Sequence, residues 1–130
     1  MNFDPNGVGV ANGNLFGFPC TEADAELIII PIPWDATASY GKGTSNGPQA
    51  ILDASTQLDF FHPRLENAYE TKVFLTPISE EWKSINDSLN DRASEYFIDL
   101  EQLGEASAQE KHKGIIDEIN AAHAALTTNL

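Results

Sequence analysis

Five side chains in and beside a glycine-containing loop have the chemistry to bind a small polar ligand. They combine two aromatic rings, a carboxylate, an ammonium group and an amide, and they are Trp34, Asp35, Tyr40, Lys42 and Asn46. Because α/β folds bind ligands beyond the carboxyl ends of their strands, we predict that these residues line the rim of a pocket. The sequence is equally compatible with a structural role, in which Asp35 and Asn46 only accept hydrogen bonds from backbone amides of the loop.

The loop itself does not match the common phosphate-binding patterns. In the segment Gly41–Pro48 the lysine comes early, and Pro48 lacks the N–H that a phosphate cradle would use. The glycine spacing also differs from the dinucleotide fingerprint. Phosphate binding is therefore disfavoured.

Side chains that could bind a metal ion or act as nucleophiles are present but poorly grouped. His112 and His123 would lie about 16 Å apart on one helix, which is too far to share a metal ion. No DxD, HxxxH, HExxH or CxxC pattern occurs, and Cys20 has no histidine near it in the sequence. We therefore predict no catalytic residue and no metal ligand in this chain.

Net charge and composition exclude several functions. The chain has 130 residues, and its 20 acidic against 7 basic residues give a formal net charge of -13. An electronegative protein repels phosphate backbones and anionic lipids, so no nucleic acid and no membrane is expected as a partner. One cysteine, no signal-peptide pattern and no apolar run near about 20 residues favour a cytoplasmic location.

The first half of the chain carries an α/β pattern. Consecutive apolar residues over Leu27–Ile30 predict a central strand of a parallel sheet, which Pro31 and Pro33 end. Pro48 is well placed to begin a helix, whose apolar positions extend to Phe61. A strand, a glycine loop and a helix in this order indicate the α/β class.

The second half is predicted to be mainly helical. Residues 72–76 are a weaker strand candidate. Apolar residues at helical spacing predict a long helix from Ile85 to Leu103, which Gly104 ends. The pattern Ser107–Glu110 resembles a capping box, so it is expected to begin the next helix.

The predicted organisation is an N-terminal arm or loop over residues 1–21 and part of a single α/β domain over residues 22–130. The arm's apolar side chains are expected to dock on the parent domain or on a neighbouring subunit. The central strand needs neighbours on both edges, yet only one other strand candidate exists. Either another segment covers one edge or the remaining sheet lies outside this chain, and we favour the second alternative.

Residues 22–61 resemble the N-terminal segment of the ureohydrolase family, which includes agmatinase, arginase and formimidoylglutamase. The similarity lies in the apolar strand that ends at Pro33-Trp34-Asp35, in the glycine loop and in the helix start Gly47-Pro48-Gln49-Ala50-Ile51. Residues 55–59 resemble the agmatinase-like branch. The resemblance implies the N-terminal part of a three-layer α/β/α arginase-like fold with a mainly parallel sheet, incomplete in this chain.

The resemblance also implies a chemistry. In that family two manganese ions hold a hydroxide that attacks a guanidinium carbon, so that urea is released. The metal ligands lie in Gly-Gly-Asp-His, Asp-Ala-His-x-Asp and Asp-x-Asp motifs, none of which occurs here. The chain is thus expected to be an inactive N-terminal fragment, and Asn46 replaces a residue that is often basic or histidine in agmatinases.

The partners that the resemblance implies are the remainder of the domain and a small cationic guanidino substrate. The apolar arm favours docking between subunits, so a homo-oligomer is expected as well. The sequence also allows a function of a different class. The chain would then be a free-standing acidic α/β module that binds a partner protein without catalysis.

Overall fold

A computed structural model of the chain describes residues 3–38 and 40–128. The first two residues of the predicted arm, Ser39 of the glycine loop and the last two residues of the predicted domain lie outside this described part. The chain divides into two compact units. One unit combines the residues up to Pro31 with Asn46–Ile78, and the other combines Ile32–Ser45 with the residues from Ser79 onwards.

The first unit contains two parallel strands, β1 over Leu27–Ile29 and β2 over Val73–Leu75. Leu27 lies opposite Val73 and Ile29 lies opposite Leu75. The Thr76 amide extends the ladder by donating to the Ile29 carbonyl at 3.0 Å. Both predicted strands are therefore present, and the parallel pairing agrees with the predicted α/β class. That β1 is central in its sheet stays a prediction.

The arm is part of the first unit's core. Leu15 and Phe18 are buried with Val73 and Leu75, and Phe3 packs against them with its ring 4.9 Å from that of Phe18. These arm side chains consequently dock on their own chain, which is the first of the two possibilities that the sequence left open.

Helix α1 spans Gly47–Ser55 and has Pro48 in its first turn, as predicted. The expected extension to Phe61 is wrong, because the helix ends at Ser55. The Asp59 side chain accepts a 3.0 Å hydrogen bond from the Phe61 amide, and this local bond competes with continued helix. Asn46 is the N-cap residue, but its side chain makes no capping bond.

The second unit is helical, with α2 over Glu80–Leu103, α3 over Glu105–Lys111 and α4 over Lys113–Thr128. The Ser79 hydroxyl caps α2 by accepting from the Trp82 amide. No helix among the described residues is long and apolar enough to span a membrane. The long helix of the prediction is confirmed.

Gly104 separates α2 from α3 in a backbone conformation that favours glycine, with φ at 78°. The expected capping box is wrong, because Ser107 lies inside α3 and Gly104 takes the N-cap position. Gly104 is both the C-cap of α2 and the N-cap of α3, so α3 has already begun before Ser107.

Apolar side chains from α2, from α4 and from the loop after β1 form the core of the second unit. Trp34, Ile85, Phe97 and Ala122 pack against five buried residues. These are Ala36, Leu89, Ala93, Ile115 and Ile119. Four short 3-10 turns complete the described structure, at Leu15–Gly17, Glu22–Asp24, Thr44–Asn46 and Ala68–Glu70.

Candidate functional site

Asp35 lies at the centre of a buried hydrogen-bond network in the second unit. Its Oδ2 accepts from the backbone amides of Gly43, at 2.7 Å, and Ser45, at 3.2 Å. Its Oδ1 accepts from the side-chain amides of Asn86, at 2.9 Å, and Asn90, at 3.0 Å. The carboxylate therefore fixes the glycine loop and the middle of α2 at one point.

The backbone of Asp35 is bound by the same two asparagines. The Asp35 amide donates to Asn86 Oδ1 at 2.6 Å, and the Asp35 carbonyl accepts from Asn90 Nδ2 at 2.9 Å. Because Asn86 and Asn90 are four residues apart on α2, they face the same side of the helix. The segment after β1 is thus held by both backbone and side-chain bonds.

The charge of Asp35 is stabilised by these bonds. Burial raises the pKa of its carboxyl, but the hydrogen bonds from Asn86, Gly43 and Ser45 outweigh burial and hold the pKa well below its usual range. The group is therefore ionised at neutral pH.

The other predicted rim residues of this unit differ in exposure. The Tyr40 side chain is fully exposed. Lys42 Nζ donates to the Asn90 carbonyl at 3.2 Å and lies 3.8 Å from Asp91 Oδ1. Trp34 is half-buried, and its ring lies edge-on to Trp82 at 6.2 Å. Tyr40 and Lys42 are consequently the side chains with surface available to a ligand.

Asn46 belongs to the first unit, where it precedes α1. The structure therefore brings Trp34, Asp35, Tyr40 and Lys42 into one unit and leaves Asn46 in the other. That these five residues line a substrate rim stays a prediction.

A separate groove of about 730 Å³ runs along the helices of the second unit. Tyr96, Phe97 and Ile116 supply apolar walls, and Lys113 and Asn120 supply polar groups. Its lining includes Thr37 but none of the predicted rim residues. The groove is therefore distinct from the Asp35 network.

The residues that the structure describes do not form a metal centre. Within residues 3–38 and 40–128, no group of three or more histidine, cysteine, aspartate or glutamate side chains is placed to hold a metal ion. His112 is paired instead with Asp99, whose Oδ2 lies 2.5 Å from His112 Nε2 and 2.6 Å from Lys111 Nζ. These contacts join α2 to the C-terminal end of α3.

Sequence reasoning missed Asn86 and Asn90. A signal for them exists, because each is a polar residue beside the apolar stripe of α2, and they are separated by one helical turn. Asn86 is fully buried, and Asn90 is 7% exposed. Such a pair inside a helix indicates a buried polar partner.

Comparisons with known proteins give a consistent picture. A model of the arginase family matches residues 25–123, which is well over half of the chain. An N(1)-aminopropylagmatine ureohydrolase from Synechocystis sp. is 49% identical over 43 residues, which are 33% of this chain and 14% of that protein. The alignment thus spans a small part of that relative. No solved structure matches the chain significantly.

Proposed function

Because this chain belongs to the arginase family, we propose that it forms the N-terminal portion of an agmatinase-like ureohydrolase that uses two manganese ions. The enzyme would hydrolyse a carbon–nitrogen bond of a guanidino compound and release urea. The observation that carries the proposal is the open edge of β1.

The hydrogen-bond directions along β1 define that edge. The Leu27 amide donates to the Lys72 carbonyl, and the Ile29 carbonyl accepts from the Thr76 amide. Because alternate residues of a strand point to opposite edges, the amide and carbonyl of Ile28 point away from β2. Among the described residues the sheet contains only β1 and β2, so no strand pairs with this side.

The side chains of β1 also indicate missing neighbours. Leu27 is 51% exposed and Ile28 is 44% exposed. Parallel sheets normally have both faces covered, and an exposed apolar strand with a free edge readily adds another strand. We infer that further parallel strands and helices of the same domain cover β1.

The manganese ions of this proposal would be held by residues other than those described here, which offer no metal site. The contribution of the chain is to build the sheet and to position the rim. Asp35 holds the glycine loop, and Tyr40 and Lys42 remain exposed on that loop. An exposed tyrosine ring can attract a guanidinium group through its π-face.

Other parts of the proposal rest on the sequence alone. Residues 22–130 would belong to a single α/β domain that carries residues 1–21 as an arm. A cytoplasmic location is supported by the single cysteine, Cys20. Assembly into a homo-oligomer stays a prediction from the apolar arm, whose buried side chains pack on their own chain.

A chimera tests the proposal. The 43 aligned residues of the Synechocystis relative would be replaced by the corresponding residues of this chain. We expect the manganese-loaded chimera to release urea from N(1)-aminopropylagmatine at a rate within about tenfold of the relative, which corresponds to about 1.4 kcal/mol in the barrier. The 130-residue chain should release none.

The outcome that would contradict the proposal is a chimera that folds and binds manganese like the relative but releases no urea. A compact monomeric chain whose β1 edge is bonded internally would instead favour the free-standing interaction module. Circular dichroism and metal analysis of the same samples distinguish misfolding from loss of function.

A further inference from the structure

The side-chain amide of Asn14 occupies the place of a neighbouring strand beside β2. Its Oδ1 accepts a 2.8 Å hydrogen bond from the Leu75 amide, and its Nδ2 donates a 3.0 Å bond to the Val73 carbonyl. One carboxamide therefore satisfies two alternate groups of the strand, as a backbone peptide of an adjacent strand would.

These two groups lie on the edge of β2 that is opposite to β1. The Lys72 carbonyl and the Thr76 amide bond to β1. Because the bonding direction alternates along a strand, Val73 and Leu75 point the other way. Cys20 reinforces the closure, since its Sγ donates to the Val73 carbonyl at 2.9 Å.

The Asn14 side chain is held in this position by its own loop. It is 5% exposed, and it bonds the Leu15 amide at 2.9 Å and the Phe18 carbonyl at 3.1 Å. Asn12 supports the same loop, since its side chain accepts from the Asn14 amide and donates to the Gly17 and Phe18 carbonyls. Its hydrogen bonds to the described residues include none to β2.

We propose that Asn14 is an edge cap that closes β2 to strand addition, so that a further strand or a second copy of this chain can join the sheet only beside β1. The two edges of the sheet are thereby unequal. One is open at Ile28, and the other is filled by a side chain from the arm. The inference stands on hydrogen bonds within the first unit and is independent of the catalytic proposal.

Hydrogen exchange at the Leu75 amide tests the contact directly. We expect Asn14→Ala to lower the protection of this amide at least about tenfold, because its acceptor is removed. The control Asn12→Ala keeps that acceptor and should leave the Leu75 amide protected. Asn14→Asp keeps an oxygen acceptor for the Leu75 amide but replaces the Nδ2 donor with a second oxygen. Protection of Leu75 should therefore persist at neutral pH while the bond to Val73 is lost.

Self-association tests the consequence. The background substitution Ile28→Pro removes the amide at the open edge of β1 without removing a bond to β2. In this background, sedimentation velocity should show a monomer for the otherwise native chain and for Asn12→Ala, and concentration-dependent association for Asn14→Ala. Ile28→Lys is a second edge-blocking background, because a charged residue disfavours strand addition.

The proposal is overturned if Leu75 stays protected in Asn14→Ala, or if that variant stays monomeric in both backgrounds while circular dichroism shows it folded. If Asn14→Ala does not fold, Asn14→Asp decides the question. Loss of Leu75 protection in a folded Asn14→Asp chain at neutral pH would exclude Asn14 as the acceptor.

Discussion

Asp35 and Asn86 bind each other twice, although they are 51 residues apart in the chain. The Asp35 amide donates to Asn86 Oδ1 at 2.6 Å, and Asn86 Nδ2 donates to Asp35 Oδ1 at 2.9 Å. The pair joins the segment after β1 to the N-terminal half of α2. It gives the loop that carries Tyr40 and Lys42 a fixed support.

The charge on Asp35 is expected to be important for stability. In Asp35→Asn an amide NH₂ replaces one carboxylate oxygen, so that a donor faces the donors of Gly43 and Ser45 or those of Asn86 and Asn90. We predict a loss of about 2–4 kcal/mol in the free energy of unfolding, measured by urea denaturation. Asp91→Asn is the matched control, since the Asp91 side chain is 89% exposed, and it should change stability by less than about 0.5 kcal/mol.

The contribution of Asp35 should depend on pH in a defined direction. Its pKa is depressed in the folded state, so the unfolded chain binds the proton first. The stabilisation is therefore fully present above about pH 4, the ordinary pKa of an aspartate, and is lost as pH falls towards the depressed folded value. The difference in unfolding free energy between the native chain and Asp35→Asn should shrink from pH 7 to pH 3. A difference that grows over this range would contradict the assignment.

Asn86→Ala should leave the Asp35 amide without an acceptor inside the second unit. Asn86 is fully buried, so we expect a loss of about 2–3 kcal/mol in unfolding free energy. Ser88→Ala, at an exposed position of the same helix, tests for effects of helix propensity alone. Equal stability changes in the two variants would show that the buried bond contributes nothing.

Two glycines of the arm allow the destabilisation caused by steric contact to be measured apart from that caused by backbone strain. Gly13 and Gly17 both have positive φ, at 85° and 68°. A Cβ on Gly17 would lie 2.4 Å from the Val10 carbonyl oxygen, whereas a Cβ on Gly13 would meet nothing within 4 Å. Gly17→Ala should therefore destabilise the chain by roughly 1–3 kcal/mol more than Gly13→Ala in thermal unfolding. Similar losses of stability in the two variants would mean that backbone strain, and not contact with Val10, causes the destabilisation.

Local sequence signals predicted the main elements correctly. Consecutive apolar residues identified β1, and helical spacing with Gly104 identified α2 and its end. The predicted end of α1 and the predicted start of α3 were wrong, because another local interaction competed with the predicted one at each. Asp59 binds the Phe61 amide beyond the end of α1, and Gly104 takes the N-cap position that the Ser107 pattern suggested.

The long-range polar contacts were not predictable from these signals. Asp35 was recognised as a candidate, but its partners Asn86 and Asn90 lie more than 50 residues away, and spacing carries no information about such pairs. Asn14 was missed for the same reason, because it meets Val73 and Leu75 only in the folded chain. Hydrophobic periodicity reports burial but not hydrogen-bond partners.

β1 has one free edge, and we propose that the rest of a ureohydrolase domain fills it. Hydrogen exchange at the Ile28 amide, followed by NMR in the monomeric 130-residue chain and in the active chimera, tests it most directly. We predict fast exchange of Ile28 in the chain alone, beside a protected Ile29 amide, and strong protection of the same position in the chimera. Equal protection of Ile28 and Ile29 in the monomeric chain would show that this edge of β1 is not free.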